Sequence, residues 1–146
     1  MTALNNAHIF QTERDFSFSP EIIYAAFANP DVLARWWGPQ GFSNTFHIFE
    51  FKQDGQWQFT MHGPDGNDYP NEAYFSELIP AQQIVIRHHC APFFTLSIKL
   101  QALPTGTRLV WQQVFDDAAV AAAIRHIVEP ANEQNLDRLQ QVLAAL

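Results

Sequence analysis

Residues 93–115 read FFTLSIKLQALPTGTRLVWQQVF, and the reading of this stretch decides the fold. Phe94, Leu96, Ile98 and Leu100 alternate with polar residues, Pro104-Thr105-Gly106 interrupts, and Leu109, Trp111, Gln113 and Phe115 take up the alternation again. Apolar side chains at every second residue set one face of an extended chain on a core. Pro and Gly between two such runs are turn residues. The stretch predicts two antiparallel strands joined by a turn, with Gln113 as a polar member of the inward row.

Working outward, the same period recurs. In QIVIRHH (83–89) the inward set is Ile84, Ile86 and His88, and in QWQFTMH (56–62) it is Trp57, Phe59 and Met61. TFHIFEFK (45–52) and NEAYFSELI (71–79), which contains Tyr74, are strand-like but apolar on both faces, so their inward sides stay unassigned. Asp54-Gly55, Pro64-Asp65-Gly66 and Pro80-Ala81 supply the turns, and successive hairpins build an antiparallel meander. Residues 8–18 alternate as well, with Phe10, Thr12, Arg14, Phe16 and Phe18 on one face. An inward Arg14 must find an acceptor or reach water: the options are an ion pair with Glu50 or Glu77, an edge position, or an anionic or carbonyl-bearing ligand.

Between the first strand and the meander lie two short helices. Ser19 caps the first, with Pro20 at its first position, and Asn29-Pro30 ends it and caps the second, which Gly38-Pro39 stops. The loop ARWWGPQGF (34–42) concentrates Trp36, Trp37 and Phe42. Adjacent residues point about 100° apart on a helix, so Trp36 and Trp37 do not share one flat surface. Either both plug the core or one lines an opening. After Phe115, Asp116-Asp117 opens an alanine-rich helix with Val120, Ile124 and Ile127, expected to stop near Pro130. A last helix is expected over 131–146, with Leu136, Leu139, Leu143 and Leu146 inward and Asp137, Arg138, Gln140 and Gln141 facing away. The fold class is α+β: a curved antiparallel sheet of about six to seven strands closed by a C-terminal helix.

The bulk properties agree. The chain has 146 residues, 47% apolar and 14% aromatic, with thirteen Phe and four Trp, and a chain of that length buries roughly 68–70% of its unfolded surface. Its net charge of −7, with no basic run, argues against nucleic-acid binding. No apolar stretch approaches the roughly 18 residues of a membrane span, and no signal-peptide pattern opens the chain. A cytoplasmic location is expected, with Cys90 the single cysteine.

The stretches TERDFSFSPEIIYAAFANPDVLARWWGPQGF, EFKQDGQWQFTMHGPDGNDYPNEAYFSEL and NLDRL resemble the homologues of the activator of heat-shock-protein ATPase, within the START-like helix-grip superfamily. The resemblance spans about residues 8–146, taken as one domain behind a tail of residues 1–7. It implies a sheet wrapped round a long C-terminal helix, with a cavity between them. Asp54-Gly55 stands where the family usually has Gly-Gly, and Lys52 where it has Arg; RHIVEPANEQ lacks the glycines common before the last helix. Asp-Gly is itself a turn pair.

The expected function is the binding of a hydrophobic or aromatic small molecule in that cavity. The candidate lining is Trp36, Trp37, Phe42, Trp57, Phe59, Met61, Ile86, Leu96, Ile98, Trp111, Leu136, Leu139 and Leu143, with Arg14, Tyr74, His88 and Gln113 fixing orientation. The alternatives are a chaperone-docking domain, as the family name implies, and a cofactor-independent cyclase or hydrolase using His88, Glu50, Glu77 or Arg14. RHHCAP (87–92) is a poor metal site, since consecutive strand residues diverge and only alternate ones converge. No cofactor, metal, nucleic acid or membrane partner is expected, and the assembly is a monomer or a homodimer.

Overall fold

The computed structural model describes residues 7–146; residues 1–6, most of the expected tail, lie outside the described residues. Strand β1 (Ile9–Phe16) is followed by helices α1 (Pro20–Ala28) and α2 (Pro30–Trp36). Then come β2 (Ser43–Phe49), β3 (Gln56–His62), β4 (Asp68–Ile79), β5 (Gln83–His88), β6 (Phe94–Leu103), β7 (Gly106–Phe115) and α3 (Ala118–Ala145). The strands form one antiparallel sheet in the order β1-β7-β6-β5-β4-β3-β2, so β2 to β7 are a meander and β1 closes onto its far end.

The short helices start where their caps dictate. Ser19 Oγ accepts from the Ile22 N–H and Asn29 Oδ1 from the Asp31 N–H, with Pro20 and Pro30 just inside. The register explains why two strands carried apolar residues on both faces. A bulge between Phe46 and Ile48 in β2, and another between Phe75 and Glu77 in β4, shift the alternation by one residue. Phe46 and Phe49 both pack on the core while Ile48 is exposed; Ala73 and Phe75 face inward before the β4 bulge, and Leu78 after it.

The β4 bulge has a partner in the Asp54-Gly55 turn. The Asp54 N–H donates to Phe75 O and the Phe75 N–H to Gly55 O, at 2.7 and 2.9 Å. Asp54 takes φ of 60°, and a Cβ on Gly55 would stand 1.9 Å from Glu50 O. Gly55→Ala is therefore expected to destabilise by about 2 kcal/mol or more, because backbone rather than a flexible side chain must move. Urea denaturation of the two proteins measures it.

Two expectations for the C-terminal region need correction. The helix does not stop near Pro130; α3 runs unbroken from Ala118 to Ala145. Pro130 is exposed, so the ring and the carbonyl it leaves without a donor lie toward water. Val120 and Ile127 also face solvent, and Ala121, Ile124 and Val128 pack against Phe10 and Phe115 instead. Further along, Leu136, Leu139 and Leu143 are fully buried in the main core with the sheet's inward row.

Candidate functional site

The loop after α2 is held by the side chains it needs. A helix leaves its last carbonyls without intrahelical donors, and Gly38-Pro39 blocks continuation here. Asn44 Nδ2 donates to Ala34 O and Trp37 O, and Asn135 Nδ2 to Trp36 O at 2.8 Å. Arg138 does most: Nη1 lies 3.0–3.1 Å from the carbonyls of Trp37, Gly38 and Pro39, and Nη2 2.8–2.9 Å from those of Arg35 and Phe42. The expectation that Arg138 faces away was wrong, because a guanidinium with five N–H donors is what a cluster of orphan carbonyls at a helix C-terminus attracts. Burial pulls its pKa down, and carbonyl oxygens rather than a carboxylate balance its charge.

This clamp separates the two tryptophans. Trp36 turns into the core, wholly buried, with Nε1 donating to Ala26 O at 3.1 Å. Trp37 sits 5.1 Å from Trp57 and 5.8 Å from Trp111, ring centre to ring centre. Those three indoles form one wall of a cavity of about 260 Å³ between the sheet and the middle of α3.

The register shows how the cavity arises. One inward row runs Phe115, Phe94, His88, Ala73, Trp57 and Phe49 across six neighbouring strands. Ala73 is the one small member, set between His88 and Trp57. Opposite, the apolar stripe of α3 is replaced at mid-helix by Val128, Ala131, Asn132 and Asn135, which line the same space. Among the described residues, none that lines the cavity is Asp, Glu, Lys or Arg.

Nine of the sequence-derived candidates line this cavity, Trp37, Trp57, Phe59, Met61, Ile86, His88, Leu96, Trp111 and Gln113, and the fold adds Ala73, Asn71, Asn132 and Asn135, which the sequence did not single out. Trp36, Ile98, Leu136, Leu139 and Leu143 belong instead to the filled core beside it. Phe42, beyond the turn at Gly41, packs on Tyr69 at 5.9 Å. Tyr74 lies on the outward side of β4, with its ring against His89. Arg14 bonds Glu133 and Asp137 of α3, not Glu50 or Glu77: β1 occupies the opposite part of the sheet from β3 and β4, and α3 is the element within its reach. Asn132 and Asn135 could have been found by noting that a polar pair interrupts a leucine stripe.

Among the described residues, His88 is the one titratable side chain in the lining. Its Nδ1 is 2.8 Å from Pro92 O and its Nε2 2.7 Å from Asn71 Oδ1, while its ring stacks on Phe94 at 4.4 Å. Burial is the dominant influence and pushes its pKa below 6.5, outweighing the acceptor carbonyls that favour the charged ring. The unfolded chain then binds the extra proton more readily, so this group's contribution to stability is complete above about pH 6.5 and declines as the pH falls through the folded-state pKa. Denaturation at pH 7.5 and pH 5 is expected to show that decline, and His88→Gln to reduce it.

Trp57 and Trp111 keep buried indole N–H groups with no acceptor among the described residues, each a desolvation cost of about 1–3 kcal/mol that aromatic packing must offset. A second polar constellation lies outside the cavity: Asp68 Oδ1 is 2.7 Å from His62 Nδ1, and His62 Nε2 2.7 Å from Thr45 Oγ1. The order acid, imidazole, hydroxyl is that of a nucleophile relay, but Thr45 on the edge strand β2 and Asp68 at the start of β4 are both exposed, and the group serves as a cross-strand ladder. Among the described residues no three His, Cys, Asp or Glu side chains converge as a metal site, and no helix is long and apolar enough to cross a membrane.

With this geometry in hand, the model of the Activator of Hsp90 ATPase homolog 1-like proteins matches residues 17–144. The chain belongs to this family. The family's fold recurs in solved structures. A protein of Nitrosomonas europaea superposes with a TM-score of 0.87 at 17% identity, over 95% of this chain and 96% of its own. One from Arthrobacter aurescens gives 0.88 at 22% identity, over 97% and 88%. An AHSA1-like protein from Aeromonas hydrophila gives 0.76 at 16% identity, over 94% and 92%. No curated protein matches the chain. The Activator of Hsp90 ATPase homolog 1-like architecture is thus the helix-grip arrangement of a curved sheet around α3.

Proposed function

We propose that the protein is a binding module that encloses a small, flat, uncharged molecule of one or two rings between the sheet and α3. The observation that carries this reading is the cavity of about 260 Å³, walled by Trp37, Trp57 and Trp111 and free of charged side chains. A dry cavity of about 150 Å³ holds one benzene, and pockets for larger ligands start near 300 Å³. The space therefore fits a naphthalene-sized compound better than a sterol or a long fatty acid, and an uncharged lining gives a carboxylate no partner.

The cyclase or hydrolase reading is supported less, because both ring nitrogens of His88 already lie within hydrogen-bond distance of protein groups, Pro92 O and the Asn71 carboxamide, so a substrate would have to displace one of them before His88 could act as a base. Chaperone docking rests on the family's description alone.

Thermal unfolding with a size series tests the proposal. A neutral two-ring compound is expected to saturate and to stabilise by about 2.7 kcal/mol at a hundredfold excess over Kd, while cholesterol and palmitate leave the midpoint unchanged. A response confined to palmitate or cholesterol contradicts it.

A further inference from the structure

Gln113 from β7 and Asn132 from α3 meet in the lining of the cavity. Asn132 Nδ2 donates to Gln113 Oε1 at 3.0 Å, which uses one donor and one acceptor of the pair. The reciprocal bond is not made. Gln113 Nε2 has no acceptor and Asn132 Oδ1 no donor among the described residues, and both atoms keep some accessible surface although Gln113 as a whole is only 7% exposed. A largely buried carboxamide with unused donors is completed by whatever enters the space it opens to, and the neighbours of Gln113 in its row, Leu96 and Phe10, offer nothing polar. A water molecule or a ligand group must do so.

An unused donor and an unused acceptor on two side chains joined by a hydrogen bond suit a group that presents an acceptor beside a donor. The cis-amide edge of a lactam does this, with C=O toward Gln113 Nε2 and N–H toward Asn132 Oδ1. Building on the proposed binding of a flat one- or two-ring molecule, we infer that the Gln113–Asn132 pair selects ligands whose ring carries such a cis-amide edge. The three indoles supply stacking area, and the amide pair supplies the discrimination, since a site built to hydrogen-bond a ligand edge rejects the analogue that lacks it.

Isothermal titration calorimetry with three compounds of nearly equal size tests this: 2-quinolone, a bicyclic lactam; 1-methyl-2-quinolone, which lacks the N–H; and naphthalene, which lacks both groups. The expected result is that 2-quinolone binds about tenfold or more tightly than either of the others. Gln113→Met and Asn132→Leu should each abolish that preference while naphthalene still binds. Equal affinities in the unmodified protein, or a preference that survives Gln113→Met in a folded variant, overturn the inference and leave the binding-module reading standing. Should none of the three bind, the binding-module reading falls and this inference with it. The unmodified protein alone decides the matter if a variant does not fold.

Discussion

Arg138→Met is expected to lower stability by about 3 kcal/mol and the thermal midpoint by roughly 6–12 °C, the scale set by several charge-assisted hydrogen bonds lost together in a chain of this size. The methionine keeps the aliphatic stem, so the loss reports on the guanidinium. Five backbone carbonyls, those of Arg35, Trp37, Gly38, Pro39 and Phe42, lose a donor at once, although Trp37 O keeps Asn44 Nδ2 and Pro39 O the Phe42 N–H, and the α2 C-terminus that they terminate is the element that aims Trp36 into the core and Trp37 at the cavity. Arg138→Lys keeps the charge but has a compact ammonium that cannot span the cluster, and it should recover less than half of the loss. Calorimetric unfolding of the three proteins gives the comparison. A midpoint within 2 °C of the unmodified protein for Arg138→Met (on the same scale, about 1 kcal/mol or less) would show that the loop holds itself.

The second large effect is expected from adding rather than removing atoms. Ala73→Phe places a ring in the gap between Trp57 and His88, where the sheet's inward row has its one small side chain. Overpacking a filled core costs about 1–3 kcal/mol; filling existing space should cost about 1 kcal/mol or less. Binding of a two-ring compound is expected to fall by about a hundredfold or more, because the volume is gone. Loss of binding with an unchanged midpoint, followed by titration and thermal unfolding of the same preparation, separates an occupied cavity from a damaged fold.

The elements of this fold follow from local rules that the sequence displays. Period-two rows such as Phe94, Leu96, Ile98 and Leu100 specify strand and face together, and Ser19-Pro20 and Asn29-Pro30 mark the helix starts. What resisted was non-local. The bulges in β2 and β4 reverse the alternation mid-strand, and nothing in TFHIFEFK or NEAYFSELI marks where; the β4 bulge depends on a turn about twenty residues earlier that bonds Phe75. Pro130 read as a helix stop because its tolerance depends on facing water, a property of the packed helix rather than of its neighbours in sequence.

The site divides in the same way. Rows on the sheet brought Trp57, Phe59, Ile86, His88, Leu96, Trp111 and Gln113 to the cavity because strand alternation alone sets their face. Arg14 was placed on the correct face but given the wrong partners, since strand order decides which carboxylates it can reach, and α3 supplied Glu133 and Asp137. Arg138 was read as a solvent residue from a helical wheel, which has no knowledge of the carbonyls left open by α2. Leu136, Leu139 and Leu143 share a helix face with Asn132 and Asn135, yet only the polar pair stands at the height of the gap above Ala73.

The four tryptophans allow the central claim to be tested residue by residue, through the indole N–H resonances in heteronuclear NMR spectra recorded during titration with 2-quinolone or naphthalene. Binding in the cavity predicts saturable shifts at Trp37, Trp57 and Trp111, with Trp36, fixed to Ala26 in the core, moving least. Saturable binding that leaves those three resonances in place, or that moves Trp36 most, would contradict the cavity as the site.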